Sequence, residues 1–434
     1  DAPCALALYG SGARHTLKGG TGSGDVNVRS FATIEQSLRE AGFTITTEAW
    51  LDGYDVVRGQ ARTAFIRGIK ARARAKHTTA LIEGMGAVMP EPEYRLPLEG
   101  TGDTAVYVLS RVSGEGNDRG AVPGDILLSE TETRDILELD KKYRKFLLVL
   151  NVGGVVDLSP VADIGNILYL GQLGTETGHI LADILLGKSY PSGKLTTTWS
   201  AWADHPDIGD FGDIDETRYK EGVYVGYRYF DTVGRKPLFP FGFGLGNTDF
   251  DIRAGEITAR GERVSVSAAV TNTGNRAGRE VAQLYVSSPA GTIDKPFQAL
   301  AAFAKTKELR PGETEELSLC FDLGTLAVYD ESRAAWVLEK GDYILRLGSS
   351  SADTEAIGGV RLGSDTLTRQ CRNCCGRPGH DDWKPPARNT AEPELRAVIA
   401  VSAADIHAET VSYDTARPID PVVESLTDSE LAYM

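Results

Sequence analysis

The residues whose order most invites chemistry are Ser113-Gly114-Glu115-Gly116-Asn117-Asp118-Arg119, which place a carboxylate between two glycines just past the apolar run Ala105-Val106-Tyr107-Val108-Leu109. Loops at strand ends carry chemistry while the strands themselves carry packing, so a glutamate on such a loop can meet a bound ligand. Glu115 is therefore the candidate general acid/base. From the heptapeptide alone a second reading stands beside it, a solvated turn with an Asp118–Arg119 surface ion pair. A glycine-dense loop, Lys18-Gly19-Gly20-Thr21-Gly22-Ser23-Gly24-Asp25-Val26-Asn27, follows the first apolar run. Its backbone N–H groups can approach a ligand closely, as in a phosphate cradle. It matches neither G-x-G-x-x-G nor G-x-x-x-x-G-K-[ST], so the rim of a pocket is the better reading and a structural tight turn the plainer one. In a parallel sheet both loops lie at the carboxyl ends of strands, on one rim.

The elements that must hold these loops follow from periodicity. Through residues 1–248, short apolar runs (Ala5 to Tyr9, Phe43 to Thr47, Ala105 to Leu109, Phe146 to Asn151, Ile167 to Leu170) alternate with amphipathic stretches (Ala32 to Glu40, Arg134 to Tyr143, Glu176 to Leu186). That alternation predicts an α/β layered domain with a largely parallel sheet. Asp52 to Ala75, rich in Arg and Ala, reads as a helical insertion with a solvated basic face, and Tyr190 to Trp199 as a turn then a strand. The aromatic-glycine runs Tyr219 to Asp231 and Phe239 to Leu245 are read as packing domain against domain rather than stacking on sugars.

Over residues 249–365 the period becomes two, as in Arg263-Val264-Ser265-Val266-Ser267 and Ala282-Gln283-Leu284-Tyr285-Val286, with turns at Asn272-Thr273-Gly274-Asn275 and Pro311-Gly312-Glu313. This predicts a β-sandwich. Residues 366–420 are polar and include Pro385-Pro386, the texture of a linker or an extended C-terminal arm wrapping a neighbour. Residues 421–434 turn helical, with Thr427 and Glu430 at capping-box spacing and Leu426, Leu431 and Met434 on an apolar face.

Composition sets bounds on partners. A formal charge of -15 over 434 residues disfavours nucleic acid and anionic membranes, which demand basic patches. No run of about 18 apolar residues occurs, so no membrane span is expected. Five cysteines, with no second pair at zinc-site spacing beside Cys371, Cys374 and Cys375, make a metal site an unfavoured reading and suit a reducing compartment. Together with a first segment that lacks the basic n-region of a signal peptide, this points to the cytoplasm, with secretion after trimming of the N-terminus as the alternative. No cofactor is expected, and homo-oligomerisation is left open.

Taken in order, Lys18 to Asn27, Ser113 to Arg119, Pro191 to Trp199, Tyr219 to Asp231 and Phe239 to Leu245 resemble the α/β-sandwich domain of glycoside hydrolase family 3. Thr271 to Gly274, Val281 to Val286, Pro296 to Leu300, Lys307 to Glu313 and Gly341-Asp342-Tyr343 resemble the fibronectin type III-like domain that follows it. Members of the family also use a (β/α)₈ barrel of roughly 250 residues bearing a nucleophilic aspartate, typically in a Ser-Asp-Trp context. Asp381-Asp382-Trp383 lies in the polar arm and does not follow a strand, so it is not read as that nucleophile. Pro421 to Met434 resembles the opening helix of the barrel in members with inverted domain order.

The resemblance implies a β-glycosidase, foremost a β-glucosidase, that retains configuration through two carboxylates about 5–5.5 Å apart. A carbohydrate is the substrate, and a barrel polypeptide, from a second chain or a cleaved precursor, supplies the nucleophile while Glu115 serves as acid/base. Lys18, Gly20, Thr21 and Ser23 are expected to border the aglycone side. Asp118 and Arg119 are expected to hold the loop, because a cation beside the acid would lower its pKa. Two rivals stand: a non-catalytic module that binds carbohydrate or protein, and a nucleotide-using α/β enzyme built on the Lys18 to Asp25 loop.

Overall fold

The computed structural model describes residues 2–113, 118–206, 208, 215–376, 378–386, 395, 397–411 and 418–433. Glu115 lies outside the described residues, and of Ser23 the backbone alone is described.

The first domain is built from β1 (Ala5–Tyr9), α1 (Ile34–Glu40), β2 (Thr44–Ile45), α2 (Glu48–Ala75), α3 (Ala80–Glu83), β3 (Thr104–Arg111), α4 (Glu130–Lys142), β4 (Lys145–Val152), β5 (Ile167–Tyr169), α5 (Thr177–Leu185) and α6 (Tyr227–Val233). Its five strands form one parallel sheet in the order β2-β1-β3-β4-β5. Parallel strands covered on both faces read as continuous apolar runs, and Leu6, Leu8, Val106, Val108, Leu148 and Val149 are all fully buried. The helices start where sequence signals place them. Thr33 with Gln36 and Ser129 with Glu132 form capping boxes at α1 and α4.

The strand order reverses between β1 and β3, and ligands of open α/β sheets bind outside the carboxyl ends of strands at such a switch point. The chain leaving β1 must turn sharply there. Gly10, at φ +89°, passes so close to β3 that a Cβ would sit 2.4 Å from the Val108 carbonyl oxygen, which only glycine permits.

The second domain comprises β6 (Phe250–Arg260), β7 (Arg263–Asn272), β8 (Val281–Ser287), β9 (Ala299–Lys305), β10 (Thr314–Asp322), β11 (Val328–Asp330), β12 (Ala335–Leu338), β13 (Gly341–Ser350), β14 (Asp353–Leu362) and β15 (Thr366–Gln370), joined by β16 (Val398–Val401) and β17 (Glu409–Thr410). The sheets run β10-β7-β6, β11-β12-β15-β17 and β16-β14-β13-β8-β9. Val264, Val266, Leu284, Leu319, Leu345 and Val360 fill the core between them, with the alternating burial of β7 that a sandwich requires. The first domain is an α/β layer and the second an all-β sandwich.

Three local expectations change. Tyr190 to Trp199 forms no strand; Trp199 instead makes an isolated antiparallel bridge to Phe239. Within 366–420, β15 continues the sandwich, and β16 and β17 return to pair in parallel with β14 and β15. These strands are two to five residues long and lack the period that would announce them. Trp383 of the Asp381-Asp382-Trp383 string packs on Tyr224 and Tyr229 of the first domain. The tail holds two short helices, α7 (Pro421–Glu424) and α8 (Asp428–Tyr433), with Thr427 and Glu430 exchanging capping bonds of 2.8 and 3.3 Å. Met434 lies outside the described residues.

Candidate active-site rim

Four strand exits converge at the carboxyl edge of the sheet, and one asparagine ties them. Asn151, at the end of β4 and fully buried, accepts from the Leu17 N–H (2.7 Å) and the Ser110 hydroxyl (3.1 Å) through Oδ1. Its Nδ2 donates to the Leu17 carbonyl (2.9 Å) and the Gly171 carbonyl (2.7 Å). It thereby joins the loops after β1 and β5 to β3 and β4. A polar residue closing an otherwise apolar strand was a signal for this role in the run Phe146 to Asn151.

The glycine loop then reaches the β3 exit. Thr21 N–H donates to the Ser113 carbonyl at 3.3 Å, and a Cβ on Gly20 would lie 2.8 Å from the same oxygen. The two loops that share one rim by topology are thus in contact two residues before Glu115. Lys18 holds the loop from within: its Nζ pairs with Asp25 at 2.6 Å, and its carbonyl accepts from Gly174 N–H at 2.9 Å. Ser23 lies on the single 3-10 turn Gly22–Gly24.

The excursion from β3 to α4 is clamped at both ends. Arg111, buried at the end of β3, donates to the Asp125 carbonyl (2.8 Å) and pairs with the buried Glu132 (2.6 Å). Glu132 also serves the α4 capping box, so the same carboxylate fixes the helix start and the strand end. Asp125 accepts from Arg119 Nε (2.8 Å) and from Gly120 N–H (2.6 Å), while Arg119 Nη1 donates to the Val155 carbonyl (2.7 Å). The ion pair of Arg119 is therefore with Asp125, and Asp118 is exposed. Loop geometry decides this, since a carboxylate six residues away across a turn reaches a guanidinium better than its neighbour in the chain does. Nothing in the spacing of Asp125 announced it.

Beneath this clamp sits Glu91, which accepts from the Tyr54 hydroxyl at 2.8 Å. Burial, aided by the Glu132 charge, pushes its carboxyl up to about 7.

Three buried polar atoms on the rim make no hydrogen bond to any described residue: Thr21 Oγ1, Arg119 Nη2 and Gln172 Nε2. Buried donors and acceptors are normally satisfied, and those left open in a native chain call for a partner. Each belongs to a different strand exit, after β1, β3 and β5. Gln172 was missed in the sequence because its place beside Gly153, where a Cβ would lie 2.9 Å from its Nε2, is purely tertiary.

Known proteins resemble this chain in sequence and fold. Residues 2–247 match the Glycosyl hydrolase family 3 C-terminal domain, and residues 280–351 match the Fibronectin type III-like domain. The chain is 32% identical over 402 residues to Beta-glucosidase A of Butyrivibrio fibrisolvens, covering 81% of this chain and 47% of that protein. It resembles the structure of beta-glucosidase 3B from Thermotoga neapolitana in complex with alpha-D-glucose at 35% identity and a TM-score of 0.70, covering 85% of this chain and 51% of that one. A beta-glucosidase from Paenibacillus barengoltzii gives a TM-score of 0.72 at 30% identity over 86% of this chain and 42% of its own. The chain spans about half the length, or less, of the relatives it matches.

Proposed function

The chain belongs to glycosyl hydrolase family 3, and from that premise we propose that it supplies the general acid/base half of a retaining β-glucosidase site. The meeting of the Thr21 loop with the Ser113 strand exit at the β1/β3 switch point carries this reading, because an open α/β sheet takes its ligand there and leaves the facing wall of the site to be supplied. A (β/α)₈ barrel bearing the nucleophilic aspartate completes it, either continued in the same polypeptide or carried on a second chain.

Hydrolysis then runs in two steps. The barrel aspartate attacks the anomeric carbon while the Glu115 carboxyl gives its proton to the leaving glycosidic oxygen, which departs with the bonding electrons. The Glu115 carboxylate next takes a proton from water as that water's oxygen attacks the glycosyl ester, releasing the sugar and the aspartate. The first step requires a Glu115 carboxyl that holds its proton, which the negative charge of the barrel nucleophile would favour. The Arg119 guanidinium, paired with Asp125, has part of its field neutralised and serves to hold the loop. Lys18, Gly20, Thr21 and Ser23 line the aglycone side.

The test is turnover of aryl β-glucosides by this chain alone, by the chain with the barrel, and by the same assembly carrying Glu115→Gln. Turnover is expected to require the barrel. The variant should lose about 10²- to 10⁴-fold in kcat on poor leaving groups and far less on activated aryl glucosides. Equal losses on both substrate types would remove Glu115 from the acid/base role, and an inactive assembly would favour a carbohydrate- or protein-binding module.

A further inference from the structure

The outer face of the β11-β12-β15-β17 sheet carries a row of directly opposed side chains. Tyr329 pairs with Trp336, Trp336 with Arg369, and Arg369 with Glu409. Directly opposed residues of a sheet project to the same face, so four strands present Tyr, Trp, Arg and Glu in line over three strand spacings, about 14 Å. The row is not a core. Trp336 is 40% exposed although its strand neighbours Ala335 and Val337 are buried, and Arg369 and Glu409 are exposed. A bulge between Trp336 and Val337 breaks the register at this point, a device that re-aims side chains near binding sites.

A trough follows the row. A cleft of about 1040 Å³ lined by Tyr329 and Trp336 meets one of about 370 Å³ lined by Trp336, Arg369 and Glu409, and the two share Thr325, Ala327 and Trp336. The aromatic end is an edge-on pair, Tyr329 and Trp336, with ring centroids 5.6 Å apart. The polar end is an ion pair, Arg369 to Glu409, at 3.4 Å. Across the larger cleft Lys384 pairs with Asp294 at 3.2 Å.

The geometry points to an accessory groove for a linear, neutral β-linked gluco-oligosaccharide, running across Trp336 on the second domain. An exposed indole face on a rigid strand stacks on the C–H face of a pyranose, an amphipathic use to which Trp is suited. The guanidinium and carboxylate beyond it offer donors and acceptors to ring hydroxyls. Carboxylates outnumber cations along the trough, Asp294, Asp330, Glu331, Asp381 and Asp382 among them, so it favours an uncharged polymer over a polyanion. β12 is hydrogen-bonded on both edges, by β11 and β15, so an extended peptide cannot add to it as a strand. The choice of glucan as ligand rests on the β-glucosidase reading above, but binding here needs no turnover.

The experiment is titration calorimetry of this chain with cellohexaose, repeated on Trp336→Ala, Arg369→Ala and Glu115→Gln, with circular dichroism to verify folding. Binding by the unaltered chain, weakened at least tenfold by Trp336→Ala and several-fold by Arg369→Ala but unchanged by Glu115→Gln, is expected. Should Trp336→Ala fail to fold, Arg369→Ala decides. Absence of binding at millimolar ligand, or binding untouched by the row variants, overturns the groove. Loss of glucoside turnover in the barrel assay with binding intact would count against the hydrolase reading and leave the groove standing.

Discussion

Asn151 carries more of the rim than any other described side chain, because both its polar atoms bridge segments distant in sequence. Removing it strands the Leu17 N–H and carbonyl, the Ser110 hydroxyl and the Gly171 carbonyl in a largely buried setting. Buried groups left unsatisfied cost about 1–3 kcal/mol each. With some relief by water, Asn151→Ala should lower stability by about 3 kcal/mol in urea denaturation. A loss under 1 kcal/mol would mean that the strand exits are held by other contacts. Arg119 illustrates the converse. Its Nε and Nη1 are engaged and its Nη2 is buried without a bond to any described residue, so it is a structural post that holds the loop.

At the scale of elements, the connection between β3 and α4 is a braced excursion. Arg111 and Glu132 hold its base, and Glu91 sits beside them with its proton retained by burial. The sign of the resulting pH dependence follows directly. A carboxyl whose folded pKa lies near 7, above its unfolded value near 4.5, keeps a proton in the folded state that the unfolded chain releases. Stability contributed by Glu91 is therefore full below about 4.5 and is lost as the pH rises toward about 7. Asp135 in α4, raised to about 6 by burial in spite of Arg134, adds to the same slope at lower pH. Glu91→Gln should keep the acceptor for Tyr54, flatten the slope between pH 6 and 7, and leave the chain more stable at pH 8 by on the order of 3 kcal/mol. Parallel stability curves for the two proteins from pH 5 to 8 would show that Glu91 is ionised throughout.

For the whole molecule, the aromatic-glycine runs join the domains. Tyr227 meets Tyr285 of β8 edge-on with centroids 6.0 Å apart, and Gln283 of β8 donates to the Gly242 carbonyl at 3.0 Å. Lys194 pairs with Glu280 at 2.7 Å across the same boundary. Gly242, at φ +80°, leaves no room for a side chain, since a Cβ would come within 2.1 Å of Gln283 Oε1. Gly242→Val should loosen this seam by about 2 kcal/mol, roughly 4–8 °C for a unit of this size. It should also split calorimetric unfolding into two transitions, the sandwich melting near its original temperature. One unshifted transition would mean that the seam does not couple the domains. At the far end, Ile419, Val422 and Tyr433 stand exposed around α7 and α8.

The change of period near residue 249, the buried runs of β1, β3 and β4 and the capping residues of α1 and α4 could all be read without coordinates. These are local properties, set by side-chain spacing and by backbone groups seeking partners within a few residues. The glycine loop and the Glu115 loop could be assigned to one rim for the same reason, given a parallel sheet. The pairing of Arg119 with Asp125, the bridges of Asn151, the open Nε2 of Gln172 and the Tyr329-Trp336-Arg369-Glu409 row could not. Each depends on strand order and register, which bring together segments that share no period. Tertiary structure alone decided those contacts, because hydrogen bonds and ion pairs are chosen by distance in space after the hydrophobic pattern has chosen the fold.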